Sequence, residues 1–409
     1  MDKSNLIQSL QNVKIIIGNG ADLYCLLPTK YKDFFGSKEQ QDIQGLYAKF
    51  KQNFEEHPNV NWAALRKSRN YDQFYFIEKR LTAWHVLFYM ESPTNGKKDT
   101  QWCDIEACMH DSFLRQDHLD KESLSWDSVC SILSVNGSGG EHNEKAMEMA
   151  WFLFNKRQAF FRSSNDFYDF LMEELNEFER QFGGYIDLVS NKNRDELQQR
   201  QKWMFERMIG NDESFRAISS VDTFNYSAIH NDNLQRKTRH LHGDVSHPIF
   251  GIDKNNDERS PESGMVVESE IFTKTSRKLM QQMYVNLINM DDNFENVIIF
   301  GHSLNRQDYS YFYPLFDRIE LSNPLKNSKC VILYNLYDKS AQKEIETRLF
   351  NAIHDLFVAY DVEHLGHVDG RLIDYLVTQN RIIIYDIDSL SCADWAKSLR
   401  EKAKNQGRR

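Results

Sequence analysis

The sequence predicts an α/β protein with a parallel sheet and a large helical insertion between the first strand and the rest. Val13–Ile17 is apolar, largely β-branched and followed by glycine, which is typical of a short buried strand. Similar runs recur late, as NVIIFG from Asn296, CVILYNLY from Cys330 and RIIIYDID from Arg381. Continuous apolar strands favour a parallel sheet covered on both faces. Between about residues 40 and 210, aromatic-rich helical periodicity prevails instead.

The spacing of the late strands leaves room for crossover helices, since the runs lie roughly 30 to 50 residues apart. TSRKLMQQMYVNLINM, residues 275–290, is predicted to be one such helix. We therefore expect the first strand and its glycine turn in residues 1–40, the helical insertion in 41–212, and the remainder of the α/β domain in 213–409.

Three segments of the insertion predict helices, and one predicts a loop. Phe74–Tyr89 and Met147–Phe161 carry helical periodicity, as does DFYDFLMEELNEFERQFGG, which begins at Asp166. Gly183-Gly184 then gives a stop signal for that third helix. VNGSGGEHNE, residues 135–144, has the composition of a loop.

Composition limits the function classes. The net charge is −10 and is spread along the chain, which argues against a broad nucleic-acid surface. Six cysteines occur without a C-x-x-C pair, so neither a zinc ribbon nor an extracellular disulfide framework is expected. No apolar run approaches the ~20 residues of a membrane span, and the amino terminus lacks a signal-peptide core. We predict a cytoplasmic protein that does not contact a membrane.

A glycine turn follows the first strand. Gly18-Asn19-Gly20 lies between a strand and a helix, an arrangement that aims backbone N–H groups at a phosphate. The third glycine of the dinucleotide fingerprint is replaced by Leu23, so a tight turn where side chains would clash is the alternative. Asp22 would repel a pyrophosphate, and it would serve better by accepting hydrogen bonds from ribose hydroxyls or by capping the helix.

Five segments together point to a family. They are Ile15–Phe35, Trp102–Met109 (WCDIEACM), Ser219–His230 (SSVDTFNYSAIH), His240–Asp253 (HLHGDVSHPIFGID) and Phe300–Phe312 (FGHSLNRQDYSYF). The chain resembles the abortive-infection AbiH family of bacterial antiphage proteins, which is itself similar to the sirtuin-like NAD-binding fold. The resemblance implies a sirtuin-like Rossmann-type sheet and NAD as substrate or ligand, with a homo-oligomer or a partner protein of a defence system.

The glycine turn and the FNY segment match sirtuin motifs. Gly18, Gly20 and Pro28 match the Gly-Ala-Gly turn and its following proline, and Asp22 replaces a serine. The sirtuin arginine after that proline is replaced by tyrosine, and the zinc cysteines are missing, which argues against protein deacylation. The matches to the Thr-Gln-Asn-Ile-Asp motif are Thr223 and Asn225, with Ser227 in place of the aspartate.

The resemblance also assigns residues in the later segments. His242 with the following glycine matches the catalytic His-Gly. Gly301 and Ser303, with His302 between them, match the Gly-Thr-Ser that holds the ribose, and Asn335 matches the asparagine on the adenosine side.

These residues predict cleavage of the nicotinamide–ribose bond of NAD to nicotinamide and ADP-ribose. Asn225 would hold the ribose or the attacking water, and His242 would act as general base, with water as acceptor. Two alternatives remain open: a catalytically silent nucleotide-binding module, and a metal-dependent nuclease toxin. No metal is predicted, although five histidines offer an alternative metal site: His230, His240, His242, His247 and His302.

Other polar residues are assigned structural roles. Asp104 and Glu106 of WCDIEACM could act as paired carboxylates, but a solvated helix end or a family-specific contact is favoured. Cys25 is predicted to be a small core residue, and Asp308 to cap the helix after the GHS turn.

Overall fold

The computed structural model describes residues 3–57, 74–91, 109, 124–133, 144–210, 217–252, 267–282, 293–336 and 339–390. The chain forms two compact units. The first comprises Met1–Thr29, Ile186–Val245 and Leu287–Arg409, and the second comprises Lys30–Tyr185 and Ser246–Asn286. Within the described ranges, no helix is long and apolar enough to cross a membrane.

The first unit is built on a six-stranded sheet in which every strand pair is parallel. Its strands are β1 (Val13–Ile17), β2 (Ile218–Thr223), β3 (Thr238–His240), β4 (Asn296–Phe300), β5 (Cys330–Tyr334) and β6 (Ile382–Asp386). The predicted α/β class and the parallel sheet are confirmed. The spatial order β3-β2-β1-β4-β5-β6 reverses direction between β1 and β4. This is the order of doubly wound dinucleotide-binding sheets, in which ligands bind at the carboxyl ends of the strands beside that reversal.

Both faces of the sheet are covered, which explains the continuous apolar runs. Ile15 and Ile17 of β1 belong to one core cluster, and Ile16 belongs to the cluster on the opposite face. All five residues of β1 and all five of β4 are buried. Side chains alternate between the two faces along a strand, so two layers of packing need apolar residues at successive positions.

A buried charge cluster interrupts this apolar pattern. The Nζ atom of Lys14 in β1 lies 3.2 Å from Asp222 Oδ2 in β2, and both side chains are almost fully buried. Arg239 in β3 donates to both oxygens of Asp222, at 3.0 and 2.7 Å. Since a buried charge without a partner is strongly unfavourable, the three residues hold one another in place across three strands.

The other long elements of the described structure are α-helices, and the described residues between β1 and β2 contain no strand. In chain order they are α1 (Lys3–Gln8), α2 (Asn19–Tyr24), α3 (Tyr31–Phe35), α4 (Lys38–Glu56), α5 (Ala83–Glu91), α6 (Trp126–Leu133), α7 (Glu144–Arg157), α8 (Ser164–Lys192), α9 (Arg194–Ile209), α10 (Asp232–Gln235), α11 (Lys274–Gln282), α12 (Tyr309–Arg318), α13 (Gln342–Ala359) and α14 (Leu372–Thr378).

Two predicted helix boundaries are wrong. Gly183-Gly184 does not stop the third predicted helix, because α8 continues to Lys192 and its apolar stripe continues with the buried Tyr185 and Ile186. Burial of a continuing stripe outweighs the cost of about 1 kcal/mol per helical glycine. In Phe74–Tyr89, the helix begins only at Ala83, where the Thr82 hydroxyl accepts from the His85 amide.

Other predicted segments differ in extent. In the segment predicted from Met147 to Phe161, α7 ends at Arg157, and Gln158 has a φ of 54°. The predicted helix 275–290 is described as far as Gln282, in α11. Asp104 and Glu106 lie outside the described residues, as does most of the predicted loop, residues 135–143.

Candidate functional site

Most of the residues predicted to form the site lie at the carboxyl ends of the parallel strands. Gly18 follows β1, Thr223 ends β2, His242 comes two residues after β3, Gly301 follows β4, and Asn335 follows β5. Parallel pairing thus brings segments that are far apart in the chain to one end of the sheet. Pro28 lies farther from the sheet and is exposed.

The glycine turn packs directly against the loop after β4. Gly18 donates its amide to Phe300 O at 3.0 Å, and Gly20 donates to Gly301 O at 2.8 Å. A Cβ on Gly20 would lie 2.7 Å from Gly301 Cα, and Gly301 has a φ of 69°. The amide of Ala21 donates to Gly18 O at 2.9 Å. The glycines are therefore required by close backbone packing, and these three donors are already paired with carbonyl groups.

Asp22 does not cap α2. Gly18 is the N-cap residue and makes no side-chain cap, and the Asp22 carboxylate is buried beside Ser227. The hydroxyl of Ser227 lies 2.7 Å from Oδ1 and 2.9 Å from Oδ2 of Asp22. The carboxylate at position 22 and the hydroxyl at position 227 are thus in direct contact.

Burial gives Asp22 unusual acid–base properties. Desolvation raises the pKa of its carboxyl to about 7, and the Ser227 hydroxyl and the Asn225 amide partly offset the rise. A group with this pKa exchanges its proton near neutral pH, so Asp22 is equipped to accept or donate a hydrogen bond in the site.

Asn225 is held by its backbone while its side-chain amide has no hydrogen-bond partner within normal geometric limits. Its backbone N–H donates to Thr223 Oγ1 at 3.0 Å, and its carbonyl lies 2.9 Å from His240 Nδ1. The side chain is buried, and among the described residues neither Nδ2 nor Oδ1 has a hydrogen-bond partner. The Asn225 amide is also among the groups that shift the pKa of the Asp22 carboxyl. Leaving a buried polar group unsatisfied costs about 1–3 kcal/mol, which a polar ligand would relieve.

Two predicted histidines converge on a carboxylate that the sequence analysis had assigned to a helix cap. The Nε2 atom of His242 lies 3.6 Å from Asp308 Oδ1, and that of His302 lies 3.4 Å from Oδ2. Asp308 is the N-cap residue of α12 but makes no side-chain cap hydrogen bond, so the predicted capping role is wrong. Phe224 packs on both rings, with centroids 5.0 Å from His242 and 4.3 Å from His302.

The other three histidines of the alternative metal site do not join these two. β3 ends at His240, and burial lowers the pKa of that imidazole. His242 lies beyond the end of the strand and precedes Gly243, which has a φ of 79°. His230 is half-buried and His247 is exposed. In the described part of the chain, no group of three or more His, Cys, Asp or Glu side chains is arranged to hold a metal ion.

At the same end of the sheet, after β5, Asn335 belongs to a polar network that the sequence did not predict. Its amide donates to Asp388 Oδ2 at 2.5 Å, and the buried Arg207 contacts Oδ1 at 2.5 Å. The hydroxyl of Tyr24 donates to the same carboxylate at 2.9 Å. Cys25 is buried beside Met204, 4.0 Å from its sulfur, and burial raises the pKa of the thiol, as expected of a core residue.

A surface cavity beside the loop after β4 does not coincide with these residues. It measures about 540 Å³ and lies between the loop after β4 and α13. Leu304, Asn305 and Arg348 are among its lining residues, whereas none of the residues predicted to form the site lines it. Asn225 and His242 are only 4% and 3% exposed, so the chemistry-bearing side chains are closed off from solvent.

Fold and site together define an α/β protein whose strand-end loops carry a buried carboxylate, a buried amide and two histidines on a shared aspartate. The family model for bacteriophage abortive infection AbiH matches residues 15–330, well over half of the chain, which therefore belongs to the AbiH family. No curated protein matches the sequence, and no solved structure matches the fold. Membership of the family associates the chain with phage abortive infection.

Proposed function

We propose that this AbiH protein is an antiphage effector that binds NAD and hydrolyses its nicotinamide–ribose bond. The observation that carries the proposal is the placement of the buried Asp22 carboxylate, held by the Ser227 hydroxyl, and of the buried Asn225 amide, which lacks a hydrogen-bond partner among the described residues, at the ends of β1 and β2. They lie beside the strand-order reversal, where doubly wound sheets bind dinucleotides. The resemblance of the strand-end sequence motifs to those of sirtuins supports NAD as the ligand by analogy.

The reaction consumes NAD and water and yields nicotinamide, ADP-ribose and a proton. Positive charge develops on the ribose as nicotinamide leaves, so the site needs a hydrogen-bond acceptor for the ribose hydroxyls and an oriented water. In the proposal, Asp22 accepts from the ribose, the amide of Asn225 orients ribose or water, and His242 takes the proton from water.

The proposed contacts with NAD come mainly from side chains. Because the amides of Gly18, Gly20 and Gly301 lie in closely packed backbone, pyrophosphate contacts are assigned mainly to side chains of the adjoining loops. The side chains proposed to contact NAD are Asn19, Asp22, Pro28, Thr223, His302, Ser303 and Asn335.

Burial of the reacting side chains supports a latent enzyme. Asn225 and His242 are almost fully buried, so NAD can reach them only if the loops around the strand ends open. We propose that infection, oligomerisation or a partner protein of the defence system provides that opening. Depletion of NAD would then stop growth of the infected cell.

Nicotinamide release from NAD by the purified protein tests the proposal. We expect Asn225→Ala and His242→Ala each to lower the rate by about 100-fold or more, in line with loss of an orienting group or a general base. The matched controls are Asn191→Ala and His354→Ala, which change the same residue types at exposed helix positions. No release by the wild type, even with phage lysate or forced oligomers, would overturn the proposal.

A second candidate function is a site that binds a nucleotide without cleaving it. The backbone N–H groups of the glycine turn already donate to carbonyl groups, which favours this candidate. A pyrophosphate with fewer backbone donors is oriented less firmly for cleavage. Nucleotide released by heating the purified protein, without nicotinamide release under any condition, would support it.

A further inference from the structure

Asp308 lies between two imidazoles that come from different strand-end loops. His242 follows β3 and His302 follows β4, and each directs its Nε2 atom at a different oxygen of the one carboxylate. The side chains of His242, His302 and Asp308 are 4%, 5% and 12% exposed. The separations of 3.6 and 3.4 Å are those of ion-pair contacts, longer than good hydrogen bonds.

The tautomer of His302 follows from its own loop. The backbone N–H of Leu304 donates to Nδ1 of His302 at 2.9 Å, so Nδ1 holds a lone pair. In a neutral imidazole the other nitrogen then carries the proton. Nε2–H of His302 therefore faces Asp308.

The same carboxylate selects the tautomer of His242. A lone pair on Nε2 would face an oxygen of Asp308 and be repelled, whereas an Nε2–H group is attracted to it. The aromatic residues Phe224 and Tyr311 pack on the His242 ring with centroids 5.0 and 5.7 Å away, which limits its rotation. With the proton on Nε2, the basic lone pair of His242 is on Nδ1.

We propose that Asp308 is a positioning residue that fixes His242 and His302 as Nε2–H tautomers and stabilises the imidazolium that His242 becomes when it accepts a proton on Nδ1. Its catalytic part rests on the proposed NAD hydrolysis, while the assignment of tautomers does not. In that reaction water gives its proton to Nδ1, and the remaining oxygen bonds to the ribose as nicotinamide departs. Tyr311 contributes a second titratable group at the His242 ring, and Phe312 packs on His302.

Nitrogen-15 NMR of the imidazoles in the intact wild-type protein tests the assignment without any substitution. With both rings neutral, we expect Nε2 to be the protonated nitrogen in His242 and His302. Finding His242 as the Nδ1–H tautomer would overturn the inference.

Asp308→Asn then removes the charge while keeping the size of the side chain. We expect His242 to lose its preference for the Nε2–H tautomer, since the carboxylate charge that repels a lone pair on Nε2 is removed. Asp317→Asn is the matched control: Asp317 lies 2.7 Å from His364 Nε2, so this change should alter the ring signals of His364 and leave those of His242 and His302 unchanged. An unchanged tautomer of His242 in Asp308→Asn would contradict the inference.

Activity separates this inference from the proposed function. If nicotinamide is released, Asp308→Asn should lower the rate and shift the acidic limb of its pH profile, where the general base becomes protonated, and an unchanged profile would overturn the catalytic part. If no variant releases nicotinamide but the tautomers are as expected, the positioning role stands and the proposed hydrolysis fails.

Discussion

At the scale of single residues, Asp22 has properties unlike those of a structural carboxylate. It is buried, it has no basic partner among the contacts that shift its pKa, and it is held by the Ser227 hydroxyl. Burial also raises the pKa of Glu174 and Glu179 to about 7, but each of these lies beside a cation, Lys156 or Arg277. Raised pKa values cluster at functional sites. Asp22 is therefore the residue at which stability and function are most directly linked.

We expect Asp22→Asn to stabilise the protein at pH 8. The pKa of an aspartate carboxyl is ordinarily 3.8, and that of Asp22 in the folded chain is about 7. Between these two pH values the folded state keeps the proton of Asp22, while the unfolded state releases it. The free energy of unfolding therefore falls as pH rises between these values, and asparagine removes that loss. Urea unfolding should show a gain on the order of 2 kcal/mol at pH 8 and little at pH 4. An equal effect at both pH values would contradict the raised pKa.

Gly20→Ala tests the close packing of the two loops. A Cβ at this position would lie 2.7 Å from Gly301 Cα, so the loops must separate, and we expect a loss of roughly 2 kcal/mol or more. Gly45→Ala in α4 is the control, since its Cβ would meet nothing within 4 Å and alanine favours the helix. Denaturant unfolding should give opposite signs for the two variants, and equal small effects would refute the packing argument.

Short sequence motifs identified several residues that lie at the strand ends, but not how their side chains pair. Asn225 and His242 stand in recognisable local patterns, and both lie at the carboxyl end of the sheet. Asp308 was misassigned because a capping position is visible in local sequence. Its contacts with His242 and His302 depend on the meeting of two strand-end loops, which the local pattern does not contain.

At the scale of elements, apolar periodicity predicted the central strands better than the helix ends. β1, β4, β5 and β6 are continuous apolar runs and were predicted. β2 was not, because Ser219, Ser220 and Asp222 interrupt its apolar character. The partners that make Asp222 tolerable are Arg239 on β3 and Lys14 on β1, a strand far away in the sequence.

Gly184→Ala tests why α8 continues through its glycine pair. The position is helical and a Cβ there would meet nothing within 4 Å. We expect alanine to stabilise the protein by about 0.5–1 kcal/mol, because it reduces the backbone entropy lost on folding. Thermal and urea unfolding measure the change, and destabilisation would show that the glycine is needed for packing.

A double-mutant cycle tests the charge cluster that joins the strands. Asp222→Asn leaves Lys14 buried without its carboxylate, and we expect a loss of about 3 kcal/mol or more. Adding Lys14→Met removes the stranded charge, so the double variant should lose less than the sum of the single variants. Urea unfolding measures each corner of the cycle. Additive losses would show that the two side chains do not stabilise each other.

At the scale of the whole molecule, chain order and spatial order diverge. The spacing of apolar runs predicted parallel strands with crossovers, but no local pattern specifies that β1 pairs with both β2 and β4. That pairing brings Asp22, Asn225 and Gly301 to one end of the sheet. The family assignment links this arrangement to phage abortive infection.

The most direct test of the central claim is the fate of NAD in the presence of the intact protein, followed by proton NMR with phage lysate or enforced oligomerisation as trigger. The account predicts free nicotinamide and ADP-ribose in equal amounts, with Asn225→Ala slower by about 100-fold. The claim would be contradicted if NAD remained intact in every condition while the proton NMR spectra showed that the protein is folded.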